Sequence, residues 1–196
     1  MKDPVEKFLT DQDRRLVEAS IREAEKNTSG EIVVKVVASS DRYPAAALIG
    51  GSLAALGFSI PVMFLLGSRD MWHFLAVFAV ARILFNELFK FCPACRRVFV
   101  SASDMRETIE DAAYGAFVRC GIGDTKDRTG VLIFVSLFEH QVHVLADKGI
   151  SAKVGPSVWQ EVVETVVVGI KEHRPGPAIA AAVDRCGRIQ IGRAHV

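Results

Sequence analysis

The chain has 196 residues, half of them hydrophobic, and its 24 Lys and Arg nearly cancel its 23 Asp and Glu, leaving a net charge of +1. So even a balance, with no basic block, argues against nucleic acid as a partner, because that partner requires a basic face. The N-terminus opens Met1-Lys2-Asp3-Pro4 and shows no cleavable leader pattern.

Thr10-Asp11-Gln12-Asp13 reads as a capping box that opens a helix with Leu16, Val17, Ile21 and Ala24 on one stripe. Asn27-Thr28-Ser29-Gly30 ends it. The β-branched run 31–37 then predicts a strand buried on both faces.

The stretch 44–91 is of another kind. From 45 to 66 no side chain is charged, and a helix of that length spans about 33 Å against a hydrocarbon core of about 30 Å. Gly67-Ser68-Arg69-Asp70 links it to a second apolar run over 71–90. Together they predict a transmembrane helical hairpin, so the soluble parts before and after it share one side of the bilayer. Lys35, Arg42, Lys90, Arg96, Arg97 and Arg106 flank the hairpin, and its link holds Arg69 alone. The positive-inside rule then predicts an integral inner (cytoplasmic) membrane protein with the soluble domain and both termini in the cytoplasm. Arg82, Asn86 and Glu87 interrupt the second helix. A central Arg costs at least about 2.5 kcal/mol on insertion scales, so Arg82 is expected to snorkel to the headgroups or to mark where the helix leaves the bilayer. An intramembrane pairing with Glu87 or a partner protein is the alternative.

Cys92-Pro93-Ala94-Cys95 is a single CxxC knuckle. A zinc site would have to recruit Cys120 and Cys186 from remote helices, and a redox role has less behind it than a metal, so structural or incidental cysteines are the simpler expectation. A helix over 103–120 follows, with Met105, Ile109, Ala112, Ala113, Ala116, Phe117 and Cys120 at helical spacing. The glycine-rich loop 121–130 leads into a buried strand at 131–136, and after a turn the cleaner alternation of 142–146 predicts an edge strand. Ser157-Val158-Trp159-Gln160 reads as a second capping box, and Pro175-Gly176-Pro177 breaks that helix and starts the last one. The tail 191–196 departs from the pattern and reads as a non-native scar.

Three stretches carry a resemblance: Thr28-Ser29-Gly30-Glu31-Ile32-Val33-Val34; Gly121-Ile122-Gly123 through Thr129-Gly130-Val131-Leu132-Ile133; and Val142-His143-Val144-Leu145-Ala146-Asp147-Lys148-Gly149-Ile150. In order and spacing they resemble the TPM domain family, over about 10–43 and 98–188. The resemblance implies an α/β fold, a three-layer α/β/α sandwich around a small mixed sheet, here interrupted by the two-helix hairpin. It also implies one of several roles: acid phosphatase, calcium binding, or accessory work in membrane-complex assembly and repair. Many family members instead carry a secretory signal and place the domain outside the cytoplasm.

The usual phosphatase signatures are missing. No cysteine has Arg six residues on, Asp11-Gln12-Asp13 opens a helix rather than following a strand, and the 121–130 loop lacks Gly-Lys-Ser/Thr. There is no Gly-x-Ser-x-Gly elbow, and the five histidines fall in no zinc-ligand pattern. One constellation remains, Asp124, Asp127 and Asp147. If the strands at 131–136 and 142–146 form an antiparallel hairpin, all three lie at one end of the sheet, where carboxylates and loop carbonyls suit Ca²⁺ or another divalent cation. The alternative is three solvated loop acids, with Asp127 beside Arg128 and Asp147 beside Lys148. The expectation is a membrane-anchored accessory or binding domain in contact with the lipid bilayer and a membrane-protein partner. A metal-assisted phosphatase that uses the same acids is the competing expectation.

Overall fold

The computed structural model describes residues 4–191 apart from 27, 29, 42, 68, 126 and 153. Its elements are α1 (Pro4–Phe8), α2 (Asp11–Glu25), β1 (Ile32–Val37), α3 (Pro44–Leu65), α4 (Met71–Phe91), α5 (Pro93–Arg97), α6 (Ala102–Arg119), a 3₁₀ turn (Ile122–Asp124), β2 (Val131–Ser136), β3 (Gln141–Ala146), α7 (Lys148–Ser151), α8 (Pro156–Lys171) and α9 (Pro175–Ile191). They divide into two compact units, residues 1–40 with 107–196, and residues 41–106.

The first unit is an α/β/α sandwich. Its sheet has the order β1-β2-β3, with β1 parallel and β3 antiparallel to the central β2. Every residue of β2 is buried. Ile133 and its neighbours Val131 and Val135 face α2, α8 and α9, packing with Val17, Val162, Val166, Ile179 and Val183. Leu132 and Phe134 face the other way, onto Ile109, Ala113 and Ala116 of α6. The alternation of two along a strand is what divides one apolar run between two helical layers.

Helix α2 starts as its sequence predicts. The Thr10 hydroxyl accepts from the Asp13 N–H at 3.2 Å, and the Asp13 carboxylate accepts from the Thr10 N–H at 3.0 Å. It lies along α9 at close range, because α9 has glycine at the contacts. A Cβ at Gly176 would overlap the Asp13 side chain, and one at Gly187 would come within 2.8 Å of the Ala24 Cβ. Both pairs share the same sequence offset, so the two helices run parallel.

Two expectations need correction. Strand β1 is apolar on both faces but only half-buried beyond Ile32. It is an edge strand, bonded to β2 alone, and a β-branched run reports apolar faces without reporting how many neighbours the strand has. Helix α8 does not begin at a Ser157 box. Gly155 is its N-cap and Pro156 takes the first helical position, with no side-chain cap bond, since a proline with fixed φ and no N–H serves there directly. The tail beyond Ile191 lies outside the described residues, and α9 itself reaches Ile191.

A buried carboxylate closes the β2–β3 turn. Glu139 accepts from the Ser136 hydroxyl and from the Ser40 N–H at 2.9 Å. It therefore ties the turn to the segment leaving β1, beside the backbone bonds from Leu137 to Val37 and from Phe138 to Ala38.

The second unit is an antiparallel helical hairpin. Gly50 lies against Phe89, Gly51 against Arg82 and Asn86, and the rings of Phe58 and Phe85 meet edge to face at 5.8 Å. The buried face of α3 carries small residues, Ala46, Gly50, Gly51, Ala55 and Ser59, which let the two backbones approach. Both helices are long and apolar enough to cross a membrane, yet only 28% of the apolar window in α3 and 11% of that in α4 are buried within the structure. The hairpin thus leaves most of its apolar surface outward, unlike the core helix of a soluble domain. Arg82 packs beside Gly51, near the start of α3.

His143 supplies a test of the layer under α6. It sits half-buried on β3 opposite Phe134. Burial lowers its pKa below the ordinary 6.5, opposed by the charge of Glu110. Between those two pKa values the unfolded chain binds a proton that the folded chain refuses, so stability falls as the pH drops through 6.5. Urea midpoints measured in detergent at several pH values should show that slope, and His143→Gln should flatten it.

Candidate functional site

The loop before β2 and the short helix after β3 meet at one end of the sheet. Gly121, in the left-handed region at φ 69°, ends α6 and turns the chain into the 3₁₀ turn. The Asp147 N–H bonds to the Gly130 carbonyl at 2.9 Å, continuing the β2–β3 ladder by one more bond. Asp147 then caps α7, its Oδ1 accepting from the Lys148 N–H at 2.6 Å. Gly149 lies directly on the loop, where a Cβ would collide with the carbonyl oxygens of Asp127 and Arg128.

These contacts enclose a cavity of about 400 Å³ lined by Tyr114, Phe117 and Val118 of α6, Gly121 and Gly123 of the loop, and Arg128, Asp147 and Lys148. Asp147 is only 6% exposed. Its Oδ1 is used by the cap, but its Oδ2 is buried with no hydrogen-bond partner. An orphaned carboxylate oxygen is costly unless something satisfies it. The space beside it is open because residue 123 is glycine. A Cβ there would stand 3.8 Å from Oδ2 and 3.4 Å from the Phe117 ring, in ordinary contact with both. Arg128 holds a left-handed backbone at φ 55° on the cavity wall.

The structure therefore brings Asp147 and the loop that carries Asp124 and Asp127 to the same end of the sheet, as the antiparallel hairpin predicts. The backbone of Asp124 lies in the 3₁₀ turn, and Asp127 is exposed on the loop. Among the described residues no three His, Cys, Asp or Glu side chains cluster closely enough to hold a metal by themselves. Sequence reasoning missed the aromatic wall from α6 and the basic rim of Arg128 and Lys148. Tyr114 and Phe117 were readable as helix-face residues, but nothing in their spacing says which side of α6 meets the loop.

The fold and site define an α/β/α domain interrupted by a helical hairpin, with a half-polar cavity at one sheet end. Residues 95–189 match the family model described as the TPM domain. The resemblance read from the motifs is thus shown, and this stretch is TPM-domain sequence. The match leaves out α2 and β1, which the parallel β1–β2 pairing joins to it. Among solved structures, the NMR structure of the BA42 protein from the psychrophilic bacterium Bizionia argentinensis is similar, with a TM-score of 0.57 and 18% identity, covering 94% of this chain and 83% of that one. At that identity the likeness is one of fold. No curated protein matches the chain.

The two glycines give opposite expectations. Gly149→Ala should lower stability by about 1–3 kcal/mol, the usual cost of overpacking against backbone that has nowhere to move. Gly123→Ala should leave stability nearly unchanged while filling the space at Oδ2. Urea denaturation in detergent, followed by tryptophan fluorescence, would separate them.

Proposed function

We propose that this chain is a membrane-anchored TPM-type accessory domain that binds a divalent cation in the Asp147 cavity. The observation that carries the reading is the buried Asp147 Oδ2, which has no hydrogen-bond partner among the described residues and faces the gap left by Gly123. Calcium takes six to eight oxygen ligands at about 2.3–2.6 Å, and magnesium six at about 2.0–2.1 Å. Asp147 would supply one carboxylate oxygen, and Asp127, Asp124 and the loop carbonyls would supply others. The ion would hold the loop against the start of α7 and so present a fixed surface to a membrane-protein partner. Calcium, magnesium and manganese titrations of the full chain in nanodiscs test this. Asp147→Asn should weaken cation binding about 10–100-fold, the range for altering a ligand or its support. Unchanged affinity in that variant would refute the site.

A metal-assisted phosphatase is the second reading, and one feature favours it. Arg128 and Lys148 line the same cavity as Asp147, and guanidinium and ammonium groups suit phosphoryl oxygens. Metal-dependent hydrolysis of a generic phosphate ester, lost on Asp127→Ala, would establish it over the accessory reading.

The hairpin is the anchor in either case. We infer that α3 and α4 cross the bilayer and return, with the Lys and Arg flanks on the cytoplasmic side. Reporters fused at residue 196 and within 67–70 should label the cytoplasm and the outside respectively. The reverse labelling would overturn this orientation.

A further inference from the structure

Where α4 ends, two thiols meet. Cys92 is the C-cap of α4 and the N-cap of α5, in extended conformation, its N–H bonded to the Leu88 carbonyl at 3.0 Å. Cys95 follows one turn later, and the two Sγ atoms are hydrogen-bonded at 2.9 Å. Both residues are half-buried and neither is in a disulfide. The Phe89 and Phe99 rings on either side of the pair pack on each other at 5.6 Å, and both lie over Gly50 of α3, where a Cβ would strike them. The sulfurs are thus in contact before any reaction, and a disulfide of about 2.05 Å needs them to close by less than about 1 Å.

Cys186 is fully buried in the core against α2 and α8, and burial pushes its thiol up to about 12. It is therefore a poor thiolate ligand. Cys120 is exposed at the end of α6. Among the described residues no group of three His, Cys, Asp or Glu includes the pair.

We propose that Cys92 and Cys95 form a thiol–disulfide exchange site whose co-reactant is a low-molecular-weight disulfide. The Cys92 thiolate attacks one sulfur of the small disulfide. That S–S bond breaks, one thiolate leaves and takes up a proton, and a mixed disulfide forms on Cys92. Cys95 gives up its proton and attacks the Cys92 sulfur, closing the Cys92–Cys95 disulfide and expelling the second thiolate. Two protein thiols are oxidised and one disulfide is reduced to two thiols. The roles follow from the hydrogen bond between the sulfurs. That shared hydrogen bond holds Cys92 below the ordinary thiol pKa and Cys95 above it. Cys92 therefore attacks and Cys95 resolves.

The test uses the full chain in nanodiscs, glutathione disulfide as the probe, an acid quench, alkylation and peptide mapping by mass spectrometry. The wild-type chain should gain a Cys92–Cys95 disulfide and keep no adduct at either position. Cys95→Ser should trap a glutathione adduct on Cys92, and Cys92→Ser should modify Cys95 several-fold more slowly. Exposed Cys120 reports reagent access in every sample. The proposal is overturned if both thiols stay free while Cys120 is modified, if Cys95 traps the adduct faster than Cys92, or if the purified chain holds zinc that shields both. The wild-type mapping needs no substitution, so it decides the matter even where a variant fails to fold.

Discussion

The central strand never meets water. Each residue of β2 is buried, and both of its edges carry hydrogen bonds, parallel to β1 and antiparallel to β3. A strand of this kind requires an apolar layer above it and another below. Helix α6 supplies one, and α2, α8 and α9 supply the other. The remaining features of the domain follow from that demand. Glycines at 176 and 187 let α2 come close enough along α9 to seal its layer. Glu139 is buried because the turn leaving β2 is buried with it, and its carboxylate satisfies donors that the turn would otherwise strand.

Most of this architecture was legible in the residues. The run 131–136 is continuous and β-branched, which is how a doubly covered strand reads. The Thr10 box declared itself by residue type and spacing, and so did the charge-free first helix of the hairpin and the apolar run that follows it. What the sequence concealed was neighbour number and approach. β1 is rich in β-branched residues like β2, Lys35 apart, yet it sits at an edge, because place in the sheet is set by connectivity rather than by composition. Pro156 took the helix start that Ser157 advertised.

For the site, the strand order carried the inference. Once 131–136 and 142–146 are antiparallel, the loop before one and the helix after the other must share an end of the sheet. That brought Asp147 to the 121–130 loop without any motif that names a metal site. The decisive detail, an unpartnered Oδ2 beside a missing side chain at residue 123, was not readable in this way. It depends on an Asp that spends one oxygen on capping α7, and on a backbone close approach at Gly149 that only coordinates can reveal. The same holds for the thiols. CxxC spacing permits contact between two sulfurs, but contact also depends on the helix ends, here the end of α4 and the start of α5.

The parallel pairing of β1 with β2 has a consequence for how the chain is made. β1 hydrogen-bonds to no strand but β2, and everything from 38 to 130, including both long apolar helices, leaves the ribosome between them. An unpaired apolar strand is a template for pairing with the wrong chain. While residues 38–130 are being made, β1 cannot yet pair with β2. The sheet is therefore completed only after the hairpin has been synthesised, and maturation of the domain waits on the segment that interrupts it.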